Sequence, residues 1–234
     1  MSIYSSLNPM INLALSQFGV TMSRLTGVRA IMADIIATLK EGQDQEFLNF
    51  SSGNPLVLPE VEKLWKDCTK KLLASPEYGE VVGRYGSSQG YQPFIDVVVN
   101  DFNSRYGLNL SDRNVLITPG SQSIYFYGAN AFGGYTDNQT LKKIVLPLSP
   151  EYTGYGGVSL VPEAVVAYKP NLEIDTEDHR FKYCPDSSQL VIDENTGCVI
   201  FSRPCNPTGN VISVDEVKKI AHQAAVYDVP VFVD

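Results

Sequence analysis

Four short stretches of this 234-residue chain hold side chains with more chemistry than a core or a surface requires. In PGSQS, Pro119–Ser123, a glycine lets the backbone turn and a helix-like pattern opens on hydroxyl and amide residues. That arrangement can present backbone N–H groups and a helix dipole to an anion, or Ser121 can simply cap its helix. In SPEYTGYGG, Ser149–Gly157, Tyr152 follows an apolar run and a proline. Its ring could stack on a flat heteroaromatic ligand, worth ~0.5–1.5 kcal/mol beyond burial, or be an ordinary core or surface aromatic. In SRPCNPTGN, Ser202–Asn210, Pro204 and Pro207 fix φ on both sides of Asn206, and Gly209 permits the turn that follows. The amide of Asn206 is then either a turn residue bonding its own backbone or a donor held in advance for a ligand oxygen. Asp234 ends the apolar run VPVFVD. A carboxylate there is either exposed or paired with a cation, for which a protonated pyridine nitrogen would serve.

The intervening sequence supplies a scaffold for these groups. Apolar residues at helical spacing predict helices over 28–40, 59–75, 91–107, 121–132 and 214–228. Short apolar runs predict strands over 47–50, 114–120, 142–148, 164–170, 197–204 and 229–234, with 151–160 as a crossing segment and 1–23 as a weakly patterned arm. Strands alternating with helices imply right-handed crossovers and a mostly parallel sheet in an α/β fold. In such sheets ligands collect beyond the carboxyl ends of the strands, where PGSQS, SRPCNPTGN and the terminal VFVD all fall.

Composition narrows the functional classes. Hydrophobic residues make up 44% and charged residues 19%, which is globular rather than disordered. A formal net charge of −8 repels nucleic acid and anionic membranes overall, yet leaves room for a local anion site built from N–H groups. Cys68, Cys184, Cys198 and Cys205 form no CxxC pair and read as reduced thiols. The two histidines, His179 and His222, match no metal spacing, so no metal is expected. No apolar run approaches the ~18 residues of a membrane span, and the first basic residue is Arg24, so no secretory leader is expected and the chain reads as cytoplasmic.

Taken in order, these residues resemble the fold-type-I pyridoxal-phosphate enzymes, the aspartate aminotransferase superfamily (class I/II). The resemblance runs from about Asn49 to Asp234 and is carried most specifically by NPTGN, a helix, and then VFVD. The segments NFSSGNP, YGSSQG, TPGSQSIYFY, PLSPEYTGYG and SRPCNPTGNVIS are most similar to the valine–pyruvate aminotransferase branch. The resemblance implies a three-layer α/β/α fold with a mostly parallel sheet. Residues 1–48 would be an arm and helix belonging to a small domain in complete relatives, and 49–234 a partial cofactor-binding large domain.

The same resemblance implies pyridoxal 5'-phosphate as cofactor. Gly120, Ser121 and Gln122 would hold its phosphate, Tyr152 would stack on the ring, Asn206 would bond the phenolic oxygen and Asp234 the ring nitrogen. Gly53 would lie near the substrate carboxylate. Tyr85 would serve the phosphate of a partner subunit, which implies a homodimer, and a cis Asn206–Pro207 bond is expected. The reaction implied is transfer of an amino group between a valine- or alanine-type amino acid and a 2-oxo acid such as pyruvate. A lyase or synthase on the same fold and a non-catalytic cofactor-binding piece are the alternatives. In relatives the lysine that binds the cofactor covalently and the arginine that clamps the substrate lie beyond the residue matching Asp234. The chain is therefore expected to be a truncated form, inactive by itself, prone to aggregate, and without a catalytic residue of its own.

Overall fold

The computed structural model describes residues 14–23, 27–41 and 56–234. They fall into two compact units, one built from Met1–Thr38 with Gly120–Asp234 and the other from Leu39–Pro119. The strand expected over 47–50 lies outside the described residues.

In the first unit, α1 (Gln17–Ser23) is followed by α2 (Val28–Glu41), and α6 (Ser121–Phe132) follows Gly120. The strands are β1 (Gly134–Tyr135), β2 (Leu141–Leu146), β3 (Val165–Ala167), β4 (Pro170–Asp175), β5 (Arg180–Pro185), β6 (Thr196–Phe201) and β7 (Val231–Val233). Helix α7 (Val214–Val226) joins β6 to β7. The central order is β3-β2-β6-β7, all parallel, with β1 antiparallel against the start of β2.

Alternation along the strands divides the core into two faces. Val145 of β2 and Val199 and Phe201 of β6 pack with Ile220 and Ala224 of α7. Ile144 and Leu146 of β2 and Cys198 and Ile200 of β6 pack instead with Tyr125 and Ala129 of α6. The two helices therefore cover opposite faces, which gives three layers and explains why every residue of β6 is buried. Burial holds the Cys198 thiol up at about 12, so it is a small apolar filler and not a nucleophile. Helix α7 starts where the sequence pattern requires. Ser213 Oγ accepts from Glu216 N–H at 3.2 Å, Glu216 Oε2 accepts from Ser213 N–H at 2.7 Å, and Asp215 adds an acid to the first turn.

The antiparallel hairpin β4–β5 was not expected from the sequence. Its tip turns because Asp175 Oδ1 accepts the N–H groups of Glu177 and Asp178 and His179 takes a positive φ of 53°.

The second unit holds α3 (Pro59–Ala74), α4 (Tyr78–Gly83) and α5 (Gln92–Tyr106). Helix α5 stops at Gly107, whose φ of 61° is the left-handed conformation that glycine tolerates. The strand expected over 114–120 does not form. Residues 112–114 make a 3-10 turn, Ile117 N–H reaches the Gln89 carbonyl at 2.9 Å, and the Gln89 side-chain amide donates to the Val115 carbonyl at 2.7 Å, loop contacts that form no ladder. An apolar run forms a strand only when a neighbouring chain completes its ladder, and none does so there among the described residues.

Gly197 of β6 lies directly against the carbonyl oxygen of Phe132, a backbone atom that cannot swing aside. Gly197→Ala should therefore destabilise the chain by about 1–3 kcal/mol, read as a lower urea midpoint with unchanged slope.

Candidate functional site

Three adjacent parallel strands, β2, β6 and β7, release their chains at one edge of the sheet, and Tyr152, Asn206 and Asp234 stand on the segments that leave it. Beyond β7, Asp234 extends the ladder: its N–H donates to the Phe201 carbonyl at 3.1 Å, and its carbonyl accepts from Arg203 N–H at 3.0 Å. The side chain is held as well. Tyr155 Oη donates to Asp234 Oδ2 at 2.7 Å.

Tyr155 belongs to the segment leaving β2. Its N–H bonds the Tyr152 carbonyl at 3.0 Å in a tight turn, and the two rings meet edge to face at 5.4 Å. Tyr155 is fully buried and Tyr152 half-buried, so one ring anchors the turn while the other keeps an open side. The far end of the segment is pinned by Asn130 of α6, whose Nδ2 donates to the Val158 carbonyl at 2.7 Å and whose Oδ1 accepts from Leu160 N–H at 2.7 Å.

Helix α6 contributes its first turns. Its N-cap is Gly120 at φ 118°, with nothing within 4 Å of where a side chain would stand, and Ser121 and Gln122 open the helix in exposed positions. The Gln122 amide and the Tyr152 ring both lie so close to Gly154 that a side chain there would meet the two of them. One turn further, Tyr125 packs on Tyr155 with centroids 5.0 Å apart. A cavity of about 580 Å³ opens beside Gln122, Phe126, Tyr152 and Gly154. A larger one, about 720 Å³, lies between the β4–β5 hairpin and Thr208–Val211. It is lined by none of the candidate residues, whereas the smaller one is lined by Gln122 and Tyr152.

The loop after β6 is closed on itself. Cys205 N–H bonds the Asn210 carbonyl at 2.8 Å, Gly209 N–H bonds the Cys205 carbonyl at 2.7 Å, and Gly209 has φ 67°. Buried Asn210 ties the loop to β5, exchanging bonds of 2.9 and 3.2 Å with the Tyr183 backbone. Asn206 stands exposed on this frame, preceding a cis proline bond as expected; Ser149–Pro150 and Arg203–Pro204 are cis too. Cys205 Sγ donates to the Pro150 carbonyl at 3.5 Å, joining this loop to the Tyr152 segment.

The structure thus brings Gly120, Ser121, Gln122, Tyr152 and Asp234 into one neighbourhood, with the Asn206 loop attached to it. Tyr85 lies in the other unit and is fully exposed. Gly53 lies outside the described residues. Sequence reasoning missed Tyr155, Tyr125, Glu151, Ser202 and Asn210. Of these, only Tyr155 left a usable signal, its three-residue spacing from Tyr152, which places both rings on one side of a turn.

The site's electrostatics follow from burial beside a carboxylate. Burial, then the charge of Asp234, pushes the Tyr125 hydroxyl up to about 12. Burial, then the hydrogen bond to Asp234, pushes Tyr155 higher still. Both hydroxyls remain protonated donors, so the arrangement holds a carboxylate in place to receive a cation. Around it stand an aromatic face and a helix start suited to an anion.

Folding raises Tyr125 above its ordinary value of 10.0, so the folded chain keeps a proton that the unfolded chain has lost. Its contribution to stability is intact below about pH 10 and is lost as pH rises toward 12. Tyr125 and Tyr155 should resist ionisation in an absorbance titration until the chain unfolds. Tyr125→Phe should flatten the fall in urea midpoint across that window.

A protein-family model described as aminotransferase class I and II matches residues 45–234. The valine–pyruvate aminotransferase of Escherichia coli (strain K12) is 32% identical over 219 residues, which cover 94% of this chain and 52% of that protein. A solved structure assigned as an amino-acid aminotransferase from Psychrobacter arcticum 273-4 superposes with a TM-score of 0.81 at 33% identity, over 95% of this chain and 54% of that one. The valine–pyruvate aminotransferase of Salmonella typhimurium LT2 does so with a TM-score of 0.69 at 29% identity, over 87% and 49%. The fold is that of the fold-type-I aminotransferases, as expected from the sequence. The match covers 52% of the Escherichia coli protein and 36% of the aspartate aminotransferase of Pyrococcus abyssi (strain GE5 / Orsay), so the chain spans about half or less of these curated relatives.

Proposed function

Because this chain belongs to the aminotransferase class I and II family, we propose that it forms the cofactor cradle of a pyridoxal 5'-phosphate-dependent aminotransferase. The reaction would move an amino group between a valine- or alanine-type amino acid and a 2-oxo acid such as pyruvate, in the cytoplasm. Members of the family use this cofactor.

The single observation that carries the reading is convergence at one sheet edge. A carboxylate backed by Tyr155, an aromatic ring and a helix start capped by glycine meet there. Each matches one part of the cofactor. The first turn of α6, with Gly120, Ser121 and Gln122, suits the phosphate, because the first N–H groups of a helix have no partner within it. Tyr152 would cover one face of the ring. Asp234 would accept a charge-assisted hydrogen bond from the protonated ring nitrogen, and Asn206 would donate to the phenolic oxygen. When bound, the cofactor supplies an electron sink for the substrate's α-carbon, while the protein orients it and keeps its nitrogen protonated. Gly53 is assigned to the substrate carboxylate by family likeness alone.

A two-fold dimer completes the reading, with Tyr85 of one subunit serving the other's phosphate. Its full exposure supports that role, as does the exposed apolar side of α3, where Leu64 and Trp65 face solvent.

The complete gene product, supplied with pyridoxal phosphate and L-valine or L-alanine, should form the matching 2-oxo acid only when an acceptor 2-oxo acid is present. Asp234→Asn should lower kcat/KM about 10- to 100-fold, the loss expected for a hydrogen bond to a charged group. Ammonia release without any acceptor would replace transfer by a lyase reaction. Failure to bind the cofactor would remove the reading.

A further inference from the structure

Glu151 is buried, 8% exposed, although a carboxylate is costly to remove from water. Three donors offset that cost, and their origin is informative. Tyr152 N–H donates to Glu151 Oε2 at 2.9 Å, Ser202 N–H to Oε1 at 3.0 Å and Ser202 Oγ to Oε2 at 2.7 Å. One donor is therefore the backbone of the residue assigned to the ring face. The other two come from the residue between Phe201 and Arg203, the two residues whose backbone fixes Asp234.

A closed circuit results. Glu151 ties the start of the Tyr152 turn to β6, the β6–β7 ladder carries that position to Asp234, and Asp234 is tied by Tyr155 to the end of the same turn. With the Tyr155–Asp234 bond alone, the turn could pivot about one tether. With both, the offset between the Tyr152 ring and the Asp234 carboxylate is fixed. Hydrophobic packing would bury this segment equally well without a charge. A buried carboxylate with donors from two segments adds direction, which packing does not.

We propose that Glu151 is a positioning residue that sets the register between the Tyr152 face and the Asp234 carboxylate, acting through Ser202, so that both meet one cofactor ring. The inference rests on the cofactor reading above and names a role that Tyr152 and Asp234 cannot fill for themselves. It extends to Ser202, whose hydroxyl supplies one of the three bonds.

The test uses the complete gene product, unaltered and as Glu151→Gln and Ser202→Ala, reconstituted with pyridoxal phosphate. Cofactor dissociation constants and the visible circular dichroism of the bound cofactor are measured beside thermal midpoints. Glu151→Gln should weaken cofactor binding about tenfold or more, as loss of a supporting residue does. It should also reduce the circular dichroism per bound cofactor, since the ring sits less regularly against Tyr152. Ser202→Ala should shift both readouts in the same direction by a smaller factor, and it decides the matter if Glu151→Gln fails to fold. Lower thermal midpoints with unchanged cofactor affinity and dichroism would reduce Glu151 to a structural residue and overturn the proposal. If the unaltered protein binds no cofactor, the functional reading falls and the role of Glu151 falls with it. If it binds and the variants match it, only the role of Glu151 falls.

Discussion

Parallel pairing of β6 with β2 on one side and β7 on the other forces three chain segments to leave the sheet at the same edge. Each leaves with residues that need neighbours: the Tyr152 turn from β2, the proline-rich loop from β6, and Asp234 from β7. An antiparallel arrangement would send β6 out at the opposite end and separate Asn206 from Asp234. The ladder is held by burial on both faces, α6 against one and α7 against the other. The site is therefore a consequence of how the core is covered, and the close approaches at Gly197 and Gly128 bring helix α6 onto β6 and β7.

Within that frame, polar side chains fix what the ladder only brings near. Glu151 and Ser202 join two loops, Asn130 pins the crossing segment to α6, and Asn210 ties the β6 loop to the hairpin. Loops leaving a sheet edge would otherwise carry unsatisfied backbone groups and move independently. Here their bonds go to specific buried amides and carboxylates, so the exposed groups, Asn206 among them, rest on rigid bases. A cofactor cradle benefits because a ligand that meets fixed donors loses little entropy in ordering them.

The electrostatic design is economical. An acidic chain with a net charge of −8 offers an anion the start of a helix, and offers a cation one carboxylate. Two tyrosines beside Asp234 are held as neutral donors by burial and by that carboxylate. They steady the charge without cancelling it.

The sequence by itself determined helices α2, α3, α5, α6 and α7, whose apolar periodicity and end signals, such as the Ser213 and Glu216 pair and the Gly107 stop, are local properties of the chain, while the short α1 and α4 carried no such signal. It also determined the apolar strands β2, β6 and β7, and its motifs marked Gly120, Tyr152, Asn206 and Asp234 as candidates. Tertiary structure alone decided whether an apolar run found a partner, which is why 114–120 stays a loop while 170–185 becomes a hairpin. It alone decided that Glu151 meets Ser202 across 51 positions and that Tyr155 meets Asp234 across 79. Such pairs have no local signature, because a carboxylate or a hydroxyl carries no mark of its distant partner until strand order brings the two within bonding distance.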